Sequence, residues 1–246
     1  MNISVCMASY NGSKFISKQI ESILFQLKDG DELIIVDDCS SDNTQQLIEN
    51  INDTRILFKK NKVNRGEIYT FNRSLMLSKN EIIFLSDQDD IWLPNRIKIM
   101  TEALLSSGAS LLTSNFSWID KNDIPVDIPF DGVKSLDSKR HFKNITDIFV
   151  GKTNYFGCAM IFKKSFLEII TPIPSFVESH DLWIALASNI NKSNVHLQDK
   201  TFLKRKHDDN ATETISRRPL IKKLFSRLIF IFSIFTLALR SISRSK

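Results

Sequence analysis

Residues 82–97 read IIFLSDQDDIWLPNRI. Ile82 to Leu85 is an apolar run without alternation, as in a strand covered on both faces, which is the habit of parallel sheets. It stops at Ser86-Asp87-Gln88-Asp89-Asp90, and helical spacing of apolar residues follows over Asn95–Leu105. The same unit stands upstream. Leu33 to Val36 runs into Asp37-Asp38-Cys39-Ser40-Ser41-Asp42 and a helix reaching about Ile51, and Ile3 to Met7 runs into Ser9-Tyr10-Asn11-Gly12-Ser13 and a helix from Lys14. Ile56–Phe58 as a strand, Glu67–Leu77 as a helix and Leu111–Thr113 as a further strand complete the rhythm. Such alternation predicts an α/β fold, a mostly parallel sheet with helices on both faces. Ligands of such sheets sit at the carboxyl ends of the strands, where the three polar clusters SYNGS, DDCSSD and SDQDD fall.

Beyond residue 115 the pattern loosens. Residues 120–140 are polar, hold two of the six prolines and read as a long loop. Gly157–Phe162 reads as a strand, Lys164–Ile170 as a short helix, His180–Asn189 as an amphipathic helix, and Val195–Leu197 and Thr201–Leu203 as short strands. The chain has 246 residues, 42% hydrophobic and 25% charged, which suits a globular protein with a sizeable core. Seven glycines and six prolines exclude collagen-like and low-complexity classes. Three scattered cysteines, Cys6, Cys39 and Cys158, form neither a disulfide framework nor a zinc spacing, and fit a reducing compartment. MNISVCMASYNG lacks a basic leading region, so no secretory signal is expected.

The net charge of +5 is unevenly placed. Residues 214–246 carry eight Lys or Arg and no acid, so the remainder is slightly acidic. That argues against nucleic acid as a partner of the body and gives the tail an anionic one. Apolar residues at 220, 221, 224, 225, 228 and 229 share a helical face, with Arg217, Arg218, Lys222, Lys223 and Arg227 elsewhere. This is the pattern of a helix lying in a membrane surface. A helix packed on the body, or on a second copy in a homo-oligomer, is the alternative. The nearly apolar stretch Leu228–Leu239 has twelve residues, about 18 Å of helix. A hydrocarbon core is about 30 Å thick, so no crossing is expected from it.

Adjacent carboxylates at Asp37 and Asp38 either build the turn or accept hydrogen bonds from a ribose or a base. In Asp87-Gln88-Asp89-Asp90, extended backbone puts Asp87 and Asp89 on one face. Carboxylates so gathered repel unless a cation joins them, and hard oxygen donors suit Mg²⁺ or Mn²⁺ on a diphosphate. The alternative is a solvated loop capping the next helix. Asp181 in Ser179-His180-Asp181-Leu182-Trp183 is a helix cap or a general base, and His207 in the charged run Lys204–Asn210 is a surface residue or part of a diphosphate site. His141 and His196 receive no role.

The ordered set VCMASYNG, IIVDDCSSDNT, Asn64-Arg65-Gly66, FLSDQDDIWLPNRI, FGCAMIFKKSFL, SHDLW and KRKHDDNAT resembles family 2 glycosyltransferases of the GT-A fold. The likeness covers about residues 1–212, and the SDQDDIWLP form is most similar to bacterial enzymes building O-antigen or capsular repeats, rhamnosyltransferases and β-1,3-hexosyltransferases among them. It implies a nucleotide-sugar-binding half over about 1–115 and an acceptor half over about 116–212; residues 213–246 lie outside the likeness and stand as the membrane-associating helix read above. It also implies an inverting, metal-dependent sugar transfer from a nucleotide-diphosphate donor, UDP-hexose or dTDP-rhamnose, to a hydroxyl of a polyprenyl-diphosphate-linked saccharide, at the cytoplasmic face of the membrane. Ser9, Tyr10, Asn11, Asp37, Asp38, Arg65, Asp87, Gln88 and Asp89 then line the nucleotide-sugar site. Asp89 and His207 hold Mn²⁺ or Mg²⁺, Asp181 is the catalytic base, and Trp92, Gly157, His180 and Trp183 face the acceptor. His180 stands where the family usually has Glu, and the segment around His207 lacks the family's aromatic residue and glycine. A binding module that kept the fold without turnover is the alternative function. A phospho-receiver domain would need a lysine near residue 105, and none lies between Lys98 and Lys121. A nucleotidyltransferase would need a glycine- and arginine-rich opening loop, which is absent.

Overall fold

The structure is a computed structural model that describes residues 1–129, 132–152, 155–207 and 220–243. Its centre is one nine-stranded sheet. β1 (Ile3–Ser9), β2 (Glu32–Asp37), β3 (Ile56–Lys60) and β4 (Ile82–Ser86) pair in parallel in the order β3-β2-β1-β4. The apolar runs do what parallel strands require. Val5, Met7, Leu33 and Ile35 point into one core, with Cys6, Ile34 and Val36 in the other. Both cores are closed to solvent, and each Ile, Leu or Val so buried contributes about 1.5–3 kcal/mol before entropy is counted.

The first face is covered by α1 (Ile16–Leu24), α2 (Thr44–Glu49) and α4 (Arg96–Ser107), through Ile16, Ile20, Ile48, Met100 and Leu104. The second is covered by α3 (Glu67–Leu77), α5 (His141–Val150), α6 (Leu167–Ile170) and α7 (His180–Ile190), through Phe71, Ile148, Ile170 and Trp183.

After β4 the parallel rhythm ends, and short antiparallel ladders join the mostly parallel sheet. β8 (Met160–Lys163) runs antiparallel between β4 and β6 (Leu111–Ile119). β9 (Asn194–Arg205) is one twelve-residue strand where two short ones were expected, and it follows β6 in parallel with two register shifts. β5 (Ile91–Trp92) pairs antiparallel with β9, directly after the acidic loop, and β7 (Pro125–Val126) pairs with β6. The expected loop 120–140 holds β7 and a single 3-10 turn, Ser135–Asp137, and α5 follows it. Gly157–Ala159 is also a 3-10 turn, so that strand begins only at Met160.

Arg96 joins β9 to the core. Its guanidinium is fully buried, donates to Thr201 Oγ1 and to Cys158 O at 2.6 Å, and stacks on Trp92 and Phe202. Burial lowers its pKa to about 9, still well above neutrality.

α8 (Leu220–Ile242) rests on α6 and α7. Leu237 is buried, Phe230 and Ile234 pack on the second core, and Arg240 donates to Ile169 O (3.0 Å) and Pro172 O (2.9 Å). The expectation from twelve apolar residues is superseded here. Leu224–Ile242 is nineteen residues of mean hydropathy 1.7, long and apolar enough by length and composition to cross a membrane. Arg217 and Arg218 lie outside the described residues, as does the boundary near 212.

Candidate active site

Two acidic turns stand side by side at the carboxyl ends of β1, β2 and β4. In the first, Asp37 is fully buried and accepts four hydrogen bonds, from Ser9 Oγ (2.9 Å), Ser40 N (2.9 Å), Ser40 Oγ (2.6 Å) and Gln45 Nε2 (2.7 Å). Those four bonds build the turn. Asp38 accepts from Asn61 Nδ2 (2.7 Å), Arg65 N (2.9 Å) and Gly66 N (2.7 Å) and is 3% exposed, so it holds the 64–66 loop in place. Tyr10, Asn11 and Arg65 are exposed around these carboxylates, and the Arg65 guanidinium lies over the Tyr69 ring. Ser9 is buried.

Gln88 locks the first loop to the second turn. Its side chain accepts from Tyr10 N (2.9 Å) and donates to Tyr10 O (3.0 Å). It presses so close to Gly12 that a Cβ there would stand 2.1 Å from Gln88 Oε1. Gln88 is therefore a brace between loops.

In the second turn, the end of β9 and the two residues after it supply cationic or titratable groups. Lys204 Nζ lies 3.0 Å from Asp87 Oδ2. The Arg205 backbone N donates to Asp90 Oδ1 (3.1 Å), and its Nε donates to Asp89 O (2.7 Å). His207 Nε2 meets Asp89 Oδ2 at 2.8 Å. Asp87 and Asp89 thus turn to different partners rather than to one cation. Asp87, Asp90 and Cys158 offer ligand atoms within 4.8 Å of one another, but the Lys204 ammonium already lies there. The Asp89–His207 pair fits Mn²⁺ or Mg²⁺ better. A carboxylate oxygen and an imidazole nitrogen converge, each side chain a little over a tenth exposed, leaving positions for diphosphate oxygens and water.

At the N-terminus of α7, Ser179 Oγ accepts from Leu182 N and caps the helix, which frees Asp181 from that duty. Asp181 Oδ1 sits 2.7 Å from His180 Nε2 as an ion pair, without hydrogen-bond alignment. His180 is 3% exposed, stacks on Phe71 and has Glu67 Oε1 at 3.7 Å from Nδ1. Burial opposes its charge, but Asp181 and Glu67 outweigh that and lift its pKa to about 9. Burial would raise the Asp181 carboxyl; His180 and the Gly157 N–H hold it below the ordinary range instead. The Asp181 side chain keeps 23% exposure, so it is an ionised carboxylate with an open side.

Gly157 links this pair to the acidic turn. A Cβ there would stand 2.4 Å from Asp181 Oδ1 and 2.8 Å from His180 Nε2, so only glycine fits. The next residue, Cys158, has its Sγ 3.3 Å from Lys204 Nζ. Gln88 bonds Tyr10, its chain neighbour Asp87 pairs with Lys204, Lys204 meets Cys158, and the adjacent Gly157 packs against Asp181, so the acidic turn and Asp181 are joined step by step. Three residues expected to face an acceptor do not. Trp92 lies in the first core against Phe84 and Arg96, Trp183 is 2% exposed with its indole donating to Ile170 O, and His180 is enclosed behind Asp181. Large aromatic surface is worth more buried than wet, and sequence alone did not distinguish the two. The sequence reading missed Lys204, Arg205 and Glu67. Phe202 and Lys204, two apart on β9 and both inward, carried the one available signal for Lys204.

Residues 4–170 match the model of Glycosyl transferase family 2. WfgD of Escherichia coli, a UDP-Glc:alpha-D-GlcNAc-diphosphoundecaprenol beta-1,3-glucosyltransferase, is 33% identical over 122 residues, 50% of this chain and 48% of WfgD. The chain thus spans about half the length of that curated relative. Among solved structures, S. aureus TarS 1-349 in complex with UDP-GlcNAc superposes with a TM-score of 0.71 at 18% identity, over 99% of this chain and 73% of TarS. The mannosyltransferase PcManGT of Pyrobaculum calidifontis, in complex with GDP-Man and Mn2+, gives 0.59 at 15% identity, over 99% and 74%. These likenesses establish the fold, and the match over residues 4–170 establishes the family: the chain belongs to glycosyl transferase family 2.

Proposed function

We propose that the chain transfers a sugar, with inversion, from a nucleotide-diphosphate donor to a hydroxyl of a lipid-linked saccharide in the building of a bacterial surface polysaccharide. The observation that supports this is the link from the acidic turn that carries Asp89 and His207, through Asp87, Lys204, Cys158 and Gly157, to Asp181, since direct displacement needs a held leaving group and a base at one cleft. Tyr10, Asn11, Arg65 and the loop fixed by Asp38 frame the nucleotide. Asp89 and His207 would hold Mn²⁺ or Mg²⁺, which supplies charge to the departing diphosphate. Asp181 accepts the proton of the acceptor hydroxyl as that oxygen attacks the anomeric carbon. His180 behind it keeps the carboxylate ionised and oriented. WfgD's named substrates favour UDP-glucose and a diphospholipid acceptor, with dTDP-rhamnose the second donor to try.

The test is calorimetric titration of UDP-hexoses and dTDP-rhamnose with and without Mn²⁺. One donor should bind in a metal-dependent way, and Asp89→Ala should weaken it by about 10–100-fold, the range seen for lost supports of a metal site. Metal-independent binding of every donor, unchanged in Asp89→Ala, would sink the metal assignment. Tight donor binding without turnover on any lipid-linked acceptor would favour the non-catalytic module.

The same reading places the protein at the cytoplasmic face of the membrane, held peripherally by α8. Leu224, Phe225, Leu228, Ile231, Phe232, Phe235, Leu239 and Ile242 form an exposed apolar stripe, within a segment of eight basic and no acidic residues. A helix pinned to α6 and α7 along its other side suits the interface better than a crossing. Flotation with anionic vesicles should carry the full chain and leave a chain truncated after residue 216 behind. Equal flotation of both would remove this role and leave a second copy of the chain as the stripe's partner.

A further inference from the structure

Lys204 is in an unusual place for a lysine. Only 8% of it is exposed, and its ammonium ends among Asp87 Oδ2 (3.0 Å), Cys158 Sγ (3.3 Å) and Asp90 Oδ2 (4.0 Å), with the Phe156 ring on another side. Asp90 is 1% exposed, and its Oδ2 has no hydrogen-bond partner. A buried carboxylate oxygen without a donor is costly unless a charge answers it, and here Lys204 is the nearest cation. Remove the ammonium in thought, and what remains is two carboxylates and a thiol within 4.8 Å, a ligand set for a soft divalent ion.

We propose that Lys204 is a built-in cation: its ammonium fills a carboxylate–thiol cage beneath the donor site, fixes Asp87, and leaves Asp89 with His207 as the acidic group that faces the exchangeable metal. It is a positioning residue, since it touches Asp87 rather than any reacting atom. One ammonium thereby serves two acids of the DQDD turn, closest to Asp87 and further from Asp90. The link to donor binding rests on the function proposed above. The cage itself does not.

Cd²⁺ is the probe, because thiolate coordination gives an ultraviolet charge-transfer band. Lys204→Ala should bind one more equivalent of Cd²⁺ than the unaltered protein, with that band, and Lys204→Ala/Cys158→Ser should lose it. A folded Lys204→Ala protein with no additional equivalent would overturn the proposal. A second measurement covers poor folding of that variant. Lys204→Met should lower the melting temperature by stranding Asp90, and Lys204→Met/Asp90→Asn should recover most of the loss. A double variant no more stable than the sum of the two single changes would also overturn it. Neither measurement uses a donor or turnover, so this proposal and the glycosyl-transfer reading fail separately.

Discussion

The two acidic turns at the sheet edge solve one problem in opposite ways. At residues 37–42 the carboxylates are satisfied by neutral donors, hydroxyls, amides and backbone N–H groups, some within the turn and some from β1 and the 61–66 segment. At residues 87–90 the partners are Lys204, Arg205 and His207, more than a hundred residues away at the end of β9 and just past it. The first turn draws its donors from within thirty residues of chain. The second is incomplete until the end of β9 docks, so its partners are set by tertiary structure and by charge. On the proposed function, structural duty falls to the first and reactivity to the second.

The largest effect should follow at the charged end. Asp181→Asn removes the proton acceptor while keeping size and shape, so turnover should fall by about 10²–10⁴-fold, the usual contribution of a general base. Donor affinity should stay within about twofold, since Asp181 lies beyond the diphosphate pair. Titration of the donor beside initial rates checks both. A variant with near-normal turnover would break the assignment of the second region as the reactive one.

That contrast also explains how much was legible beforehand. The strands from Ile3, Leu33, Ile56 and Ile82 announce themselves because each is a short apolar run closed by a polar turn, a pattern written within ten residues. Asp89, Asp181 and His207 were named from their surroundings and a family likeness, and the fold pairs Asp89 with His207 and sets Asp181 against His180 and Gly157. Which partner each acid chooses was not legible. Lys204 reads as one more charge in a basic run, and only the register of β9 against β6 and β5 sends it inward. Trp92 and Trp183 were misassigned for the mirror reason: an aromatic beside a motif looks like a ligand platform until its burial is known. α5 went unread because its His141 start sits in a polar stretch with no capping side chain.

A middle-sized effect concerns His180 and pH. Folding raises its pKa from an ordinary 6.5 to about 9. The folded chain then holds that proton more tightly than the unfolded one. The stabilisation is therefore complete below about pH 6.5 and is lost as pH rises through 9. At 1.36 kcal/mol per unit, the buried imidazole contributes at most on the order of 3 kcal/mol, less what solvent at the open side of Asp181 screens. Melting temperatures between pH 6.5 and 9 should fall more steeply for the unaltered chain than for His180→Asn. Parallel slopes would show that the pair is neutral, and the second region would lose part of its claim to be charge-built.

The smallest effect belongs to the first turn and sharpens the contrast from its quiet side. Asp37→Asn keeps the acceptor for Ser40 N and Gln45 Nε2 on one oxygen. It turns an amide N–H₂ toward Ser9 Oγ and Ser40 Oγ, whose hydroxyls can rotate to accept. Only the difference between charged and neutral acceptors is lost, about 1 kcal/mol. In a chain of this size that is roughly a 2–4 °C drop in melting temperature. The shift should be insensitive to salt, because no ion pair is involved, and donor affinity should be unchanged. A tenfold loss of donor affinity would instead mean that Asp37 meets the nucleotide after all, and the division of labour between the two turns would have to be redrawn.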